Sequence, residues 1–452
     1  MSNAHVNYSY IERIVYSPQF RNMQDKTQLF YSAPKRQVRT RLTHTMEVKV
    51  LARDIGARIN AGSSGVQVDL DLVDAIALAH DIGHTPFGHI GERTINAIVS
   101  RKDDLGGLLR PSGRNVMRFK HNVNSFRLLQ NLKIEDWRIA EGSLCHTRFF
   151  YDGDSFPAHR NPYDPFGGSA TGFEQFLQTH HRLSSPPDTG KKLPSLTLEG
   201  QIVAMADEVA QRVADVSDGL ESRYFEFVRK ILDIDHTGST RDRLELSIRE
   251  ALIGDVVANT LKTLKNAEAE YVRIKGIHHH IYKQEVVAFS EAMSGKNKRL
   301  EDFIQVMMTQ SEDVRESDSR SRYIIRQLFK AYLNDVSLLP DSFLVDYFNR
   351  VVNKSTFSAA LNALSADASS AKVLRTIRSG KGCITKGVPG SRVVIDLKNV
   401  RKYFAILIGN EHDPRIPELN DLFDEYILNI GFHIADMTNT EAFTAYNRIY
   451  GH

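Results

Sequence analysis

The stretch AHDIGHTPFGHIGE, residues 79 to 92, crowds three histidines, an aspartate and a glutamate among three glycines and a proline. Glycine and proline punctuate secondary structure, so this stretch must hold a turn, and ligand-type side chains seldom gather at such density for packing alone. The spacing predicts a helix through DLVDAIALAHDIGH, with His80 and His84 sharing a face at i, i+4 and Asp81 beside them. Pro86 and Gly88 redirect the chain, and His89 and Glu92 then lie i, i+3 at the start of a second helix, HIGERTINAI. The two groups are expected to face one cavity across the turn.

The remaining chain supplies a folded frame for such a cavity. Of its 452 residues 41% are hydrophobic and 25% charged, the balance of a globular protein. With 58 Lys and Arg against 55 Asp and Glu, overall charge gives no reason to expect nucleic acid or an anionic membrane as partner, and any basic patch must be local. The two cysteines, Cys145 and Cys383, exclude a disulfide framework and a CxxC metal spacing. No apolar run approaches the ~20 residues that span a bilayer, and the start MSNAHVNYSY lacks the apolar core of a signal peptide, so a cytoplasmic protein with no membrane partner is expected.

Apolar residues recur at three- and four-residue steps in segments such as LTLEGQIVAMADEVAQRVADV and DRLELSIREALIGDVVANTLKTL, which predicts an all-α fold. The best strand candidate is SRVVIDLK, residues 391–398, as part of a small β-hairpin. Residues 149–192, rich in Gly, Pro, Ser and Asp, read as an irregular excursion, a lid or a subunit contact. A composition shift near residue 290 suggests a core over 1–290 and a C-terminal helical subdomain over 291–452.

Two further segments add ligand types. RTRLTHTMEV puts His44 in an amphipathic helix, and AMADEVAQRVADV puts Asp207 on a stripe otherwise made of Ile202, Met205, Ala206 and Val209. A carboxylate on an apolar stripe needs a partner, whether an ion pair or a metal. A divalent cation held by His44, His80, Asp81 and Asp207 would satisfy it, and a mixed imidazole and carboxylate set suits Mn²⁺, Mg²⁺, Fe²⁺, Ni²⁺ or Zn²⁺.

Taken in order, RTRLTHTMEV, AHDIGHTPFGHIGE, FKHNVNSFRLL and MADEVA resemble the HD superfamily, and within it the deoxyguanosinetriphosphate triphosphohydrolase (dNTP triphosphohydrolase) family. The opening SPQFRNMQDKTQLF and the closing ADMTNTEAFTAYNRIYG are similar too, whereas residues 150–195 and 290–430 carry little of it. The resemblance implies a helical HD core, the metal ligands His44, His80, Asp81 and Asp207, and hydrolysis of a deoxynucleoside triphosphate, dGTP by the family label, to deoxynucleoside and tripolyphosphate. It implies His89 as acid/base with Glu92 behind it, His84 and His121 near the α-phosphate and the departing oxygen, and Arg41 and Arg21 as phosphate clamps; ordinary exposed arginines are the alternative for the last two.

Where many members of that family place a tyrosine against the sugar ring, this chain has Gln211, which leaves open whether a ribonucleotide is admitted or the site is packed differently; Asp215 matches the position that meets the 3′-hydroxyl. Lys275 and Tyr282 in RIKGIHHHIYKQEVV resemble a nucleotide-facing helix, and the run His278, His279, His280, read on that helix, points in three directions and cannot ligate one ion. Lys381, Lys386, Arg392, Lys398, Arg401 and Lys402 form a local basic segment: a solvated hairpin, or a surface for an effector nucleotide or single-stranded DNA. Family resemblance also implies a homo-oligomer, hexamer or tetramer. The competing readings are another HD phosphohydrolase, such as a nucleotidase or phosphodiesterase, and a nucleotide- or nucleic-acid-binding protein with a structural metal.

Overall fold

Asp69 starts the helix that carries the site: its carboxylate accepts from the free backbone N–H groups of Asp71 and Leu72, both at 3.1 Å, and capping of this kind fixes where a helix begins. In the computed structural model, residues 3–28, 39–62, 65–109, 118–147, 149–151, 191–220, 222–234, 241–274, 277–351, 355–363, 372, 402–407 and 417–451 are described. They are overwhelmingly helical, as the periodicity predicts. The hairpin expected at 391–398, and the basic segment apart from Lys402, lie outside the described residues.

Packing divides the chain into two compact units, one of residues 1–92, 120–322 and 436–440, the other of residues 93–119, 323–435 and 441–452. The division therefore falls inside the helix Glu312–Asn334 and not near residue 290. The first unit contains α1 (Asn3–Val15), α2 (Pro18–Asn22), α3 (Arg41–Gly62), α4 (Leu70–Ala79), the start of α5 (Gly88–Val99), α6 (His121–Asn131), α7 (Trp137–Cys145), α8 (Leu198–Gly219), α9 (Phe225–Leu232), α10 (Arg241–Leu264) and α11 (Glu291–Gln310). Its core is built around α3, which packs on α4 and α8 through Val48, Ala52, Ile55 and Ile59. Helix α4 is buried on nearly every side, as an all-round apolar helix should be, and its one buried charge, Asp74, is met by Lys49 and Arg53 at 3.0 and 2.8 Å. In the second unit the hydroxyls of the buried Tyr347 and Tyr403 bond each other at 2.7 Å, and Tyr426 donates to the Tyr332 carbonyl.

Two antiparallel strand pairs interrupt the helices, β1 (Phe149–Tyr151) with β2 (Lys191–Leu193) and β3 (Glu270–Ile274) with β4 (Ile277–Ile281). The second pair corrects the helix read over RIKGIHHHIYKQEVV. Runs rich in Val, Ile and Tyr, parted by only Lys275 and Gly276, are a hairpin pattern, and five residues are too few for periodicity to reveal it. His279 and His280 consequently separate, one edge-on to Trp137 and the other against Tyr271. Tyr282 leaves β4 into the core, its backbone N–H bonded to the Leu196 carbonyl at 2.8 Å, and Lys275 lies outside the described residues.

Candidate metal centre

Helix α4 ends at Ala79, five residues short of the His84 that the sequence pattern suggests, and the His80 ring donates from Nδ1 to the Ala77 carbonyl at 2.7 Å, a contact that competes for the helical acceptors of the last turn. His80, Asp81 and His84 therefore sit on a tight turn, with His84 N–H on the Asp81 carbonyl at 3.0 Å, and not on one helix face. Phe87 and Gly88 both take left-handed backbone angles, φ +61°, and start α5 in a new direction. Left-handed geometry in a bulky residue costs about 1 kcal/mol or more and survives only where the surroundings enforce it; here Phe87 is buried and its N–H is held by Asn439 Oδ1 at 2.7 Å.

The FKHNVNSFRLL segment explains how the turn is fastened. Ser125 on α6 donates to the His80 carbonyl at 2.8 Å and accepts from Gly83 N–H at 3.0 Å, while Asn124 donates to the Gly83 carbonyl at 2.9 Å. A Cβ on Gly83 would lie 2.1 Å from Ser125 N, and one on Gly91 would lie 2.0 Å from the Pro86 carbonyl oxygen. Both obstacles are backbone, so neither can step aside. Gly83→Ala is expected to cost about 3 kcal/mol or more in a denaturant unfolding series and to loosen the turn, whereas Gly254→Ala, in open space on the helix Arg241–Leu264, is the control and should gain up to about 1 kcal/mol.

Three helices then deliver the centre. From α3 comes His44, from the end of α4 His80, and from α8 Asp207; their ligand atoms all lie within 4.8 Å of one another. His44 Nε2 is 2.8 Å and His80 Nε2 3.8 Å from Asp207 Oδ1. The register of α8 follows from its N-cap, where Thr197 accepts from Gly200 N–H at 3.0 Å, and from Glu141 of α7, which receives Ser195 Oγ at 2.6 Å and Leu196 N–H at 2.9 Å. Because the His80 Nδ1 proton is committed to Ala77, Nε2 carries the lone pair, and it is buried with no hydrogen-bond partner. An orphaned imidazole lone pair facing a carboxylate and a second imidazole fits a divalent cation.

Asp81, the fourth expected ligand, stands at the edge of this set. Its Oδ2 is 3.7 Å from His80 Nε2 and accepts from Arg41 at 2.8 Å. Burial pushes the Asp81 carboxyl up, but Arg41 and the surrounding imidazoles outweigh it and hold it well below the usual carboxylate range. Arg41 is itself buried, with its other donors on the Thr27 and Gln28 carbonyls, so it neutralises Asp81 where the sequence suggested a phosphate clamp. Arg21 is exposed at the end of α2, and among the described residues no side-chain hydrogen bond ties it to the cluster.

Beside the metal set lies a second group of imidazoles. His84 is fully buried and stacked on His121, ring centroids 4.6 Å apart. Glu92 accepts from His121 Nδ1 at 2.9 Å and is 3.7 Å from His89 Nδ1, so it backs His121 more closely than His89, a correction to the pairing expected from spacing. Burial raises the Glu92 carboxyl, yet His121 and His89 hold it well below its usual range; the same pairing raises His121 against the pull of burial. His89 is half exposed at the edge of the cluster.

Two participants carried no sequence signal. His146, just beyond α7, is buried with its Nδ1 on the Ser143 carbonyl at 2.6 Å and its Nε2 3.3 Å from His121 Nε2. Lys26, also buried, donates Nζ to the His84 carbonyl at 2.5 Å. One follows a buried helix and the other lies in a polar loop, and only their placement in space marks them. Farther along α8, Gln28 donates to Gln211 at 2.8 Å and Gln211 donates to Asp215 at 2.6 Å, so both ends of the Gln211 amide are engaged.

With this geometry in place, comparison with known proteins is direct. The HD domain model matches residues 41–211, a span from Arg41 through Asp207 that contains every ligand named above. Residues 41–211 form an HD domain. A phosphohydrolase-associated domain model matches residues 287–354 of this HD protein. Similar proteins include the deoxyguanosinetriphosphate triphosphohydrolase-like proteins of Geobacter sulfurreducens, 28% identical over 352 residues (73% of this chain, 77% of the relative), and of Geobacter metallireducens, 29% identical over 356 residues (73% and 77%). That of Caulobacter sp. is 28% identical over 368 residues (75% and 81%). The HD domain and the phosphohydrolase-associated domain support a phosphohydrolase, and no helix among the described residues is long and apolar enough to cross a membrane.

Proposed function

We propose that this HD protein hydrolyses deoxynucleoside triphosphates at the α-phosphorus, releasing a deoxynucleoside and tripolyphosphate. The observation that carries the reading is the convergence of His44, His80 and Asp207 from three helices, with the His80 lone pair orphaned, directly beside His84, His89 and Glu92. A divalent cation held by His44, His80, Asp207 and Asp81 would supply Lewis-acid charge to a phosphoryl group. Arg41 holds Asp81 ionised for that purpose. His89, half exposed at the edge of the cluster, is placed to exchange a proton with water or with the departing 5′-oxygen, and Glu92 orients it and His121 together. His84, kept neutral by burial and by the nearby Arg41 charge, retains an unpartnered Nε2 for the phosphate side. Guanine as the base is taken from the names of the relatives alone.

Incubation with each dNTP and with GTP, under Mn²⁺ and then Mg²⁺, followed by anion-exchange chromatography, tests the reading. Tripolyphosphate is the expected product; orthophosphate or a nucleoside monophosphate would place the protein among other HD phosphohydrolases. Asp215 is read as the group that meets the sugar 3′-hydroxyl, with Gln211 holding it.

Burial raises the Asp215 carboxyl to about 6, against the opposing charge of Arg212 and the Gln211 hydrogen bond. A folded-state value above the unfolded one means the native protein resists losing this proton, so stability falls as pH rises from about 4 through 6. Relative to Asp215→Asn, the wild-type chain is expected to lose on the order of 2–3 kcal/mol across that window, as read by unfolding at several pH values. A flat difference between the two proteins would show that the carboxyl titrates normally.

A further inference from the structure

A short segment near the end of the chain, residues 436–440, belongs to the first unit, although the residues before and after it, 323–435 and 441–452, belong to the second. It falls where the helix Pro417–Asp436 stops and the helix Asn439–Tyr450 starts. Its contacts converge on the turn between α4 and α5.

Asn439 is buried, and its Oδ1 accepts from the Phe87 N–H at 2.7 Å, an acceptor supplied from 352 residues farther along the chain. Phe87 is a left-handed residue of that turn, placed between His84 and His89. Asp436 acts through α6: it receives Arg127 on both carboxylate oxygens at 2.5 Å and Asn124 Nδ2 at 3.2 Å. The same Asn124 amide donates to the Gly83 carbonyl at 2.9 Å, and Arg127 fixes its orientation by donating to Asn124 Oδ1 at 2.7 Å. Thr440 adds its N–H to Asp25 Oδ2 at 3.0 Å, beside the buried Lys26 whose ammonium meets the His84 carbonyl.

Left-handed backbone in a bulky residue persists only where its surroundings over-determine it, and Asn439 is one of the groups that do so at Phe87. His80 is fastened separately, by Ser125 on its carbonyl and by its own Nδ1 bond to Ala77. Loss of the Asn439 acceptor therefore loosens the stretch from His84 to His89 and leaves His80 in place.

We propose that Asn439 is a positioning residue for His84 and His89, with Asp436 securing Gly83, so that residues 436–440 set where the proton-transfer side chains stand relative to the metal centre. The catalytic consequence rests on the hydrolysis proposed above; the hold on the turn does not.

The test compares Asn439→Leu, which keeps the bulk and removes the acceptor, with Asn439→Asp, which retains Oδ1. In Asn439→Leu, kcat for a dNTP is expected to fall about 10²-fold, the effect of an ångström-scale misplacement, with KM and bound Mn²⁺ per chain unchanged. Asn439→Asp should recover most of that rate. Amide hydrogen exchange read by mass spectrometry makes the same comparison without turnover: residues 81–91 should exchange about tenfold faster in Asn439→Leu, as loss of one buried hydrogen bond allows, and at the wild-type rate in Asn439→Asp. Wild-type kcat in Asn439→Leu, with or without a loss of thermal stability, overturns the assignment, as does unchanged exchange or an Asn439→Asp chain equally impaired. Should Asn439→Leu not fold, Asp436→Asn, which removes the charge facing Arg127, is read by the same exchange: faster exchange over 81–91 is expected, and the wild-type rate overturns the hold. A wild-type chain that turns over no dNTP removes the proposed reaction, and exchange alone then decides whether residues 436–440 hold the turn.

Discussion

Asp207→Ala is expected to abolish metal binding at the proposed centre and to lower turnover by on the order of 10³-fold or more, because this carboxylate is the negative partner of both His44 and His80. Burial raises the Asp207 carboxyl, but the hydrogen bond donated by the His44 ring and the neighbouring imidazoles hold it below the usual carboxylate range. Alanine leaves two imidazoles facing each other without the anion that makes the site attract a cation. Metal analysis and an activity assay on one preparation separate the effects: a variant that keeps its metal yet is inactive would show Asp207 acting on substrate, not on the ion. Unfolding should also respond, since a ligand that binds only the native state stabilises it, and this metal-dependent increment in the transition midpoint should vanish in the variant.

His89→Ala carries the opposite signature. Its ring stands outside the ligand set, 3.7 Å from Glu92 and half exposed, so metal content and stability should match the wild type while turnover drops about 10²- to 10⁴-fold, the range of a lost general acid or base. Comparison of kcat with KM sharpens the assignment, since loss of a proton-transfer group lowers kcat with little change in KM. Normal hydrolysis by His89→Ala would move the proton-transfer role to His121, which Glu92 contacts at the shorter distance.

How much of this was legible in the sequence depended on how local each constraint is. The helical class follows from periodicity, and His80, Asp81, His84, His89 and Glu92 announce themselves because they are adjacent in the chain. His44 and Asp207 are legible once that cluster has been seen, as polar residues on apolar helices that lack a local partner. The distances among them are not legible. Whether Glu92 backs His89 or His121 is decided by how closely α6 approaches the turn, and that approach is set by the missing side chain of Gly83. His146 looks like a core histidine after Cys145, and Arg41, expected as a phosphate clamp, lies within reach of Asp81. The histidine run misled because a five-residue strand and a short piece of helix contain too few residues to tell apart.

The order in which the ligands occur along the chain has a bearing on how the protein is made. His44 and His80 leave the ribosome long before Asp207, and the start of the helix bearing Asp207 is held by Glu141, which receives Ser195 and Leu196. A nascent or truncated chain that stops short of α8 holds the two imidazoles and lacks the anion between them. The centre is therefore incomplete during synthesis and in N-terminal fragments, and a partial polypeptide has only neutral donors to offer a cation.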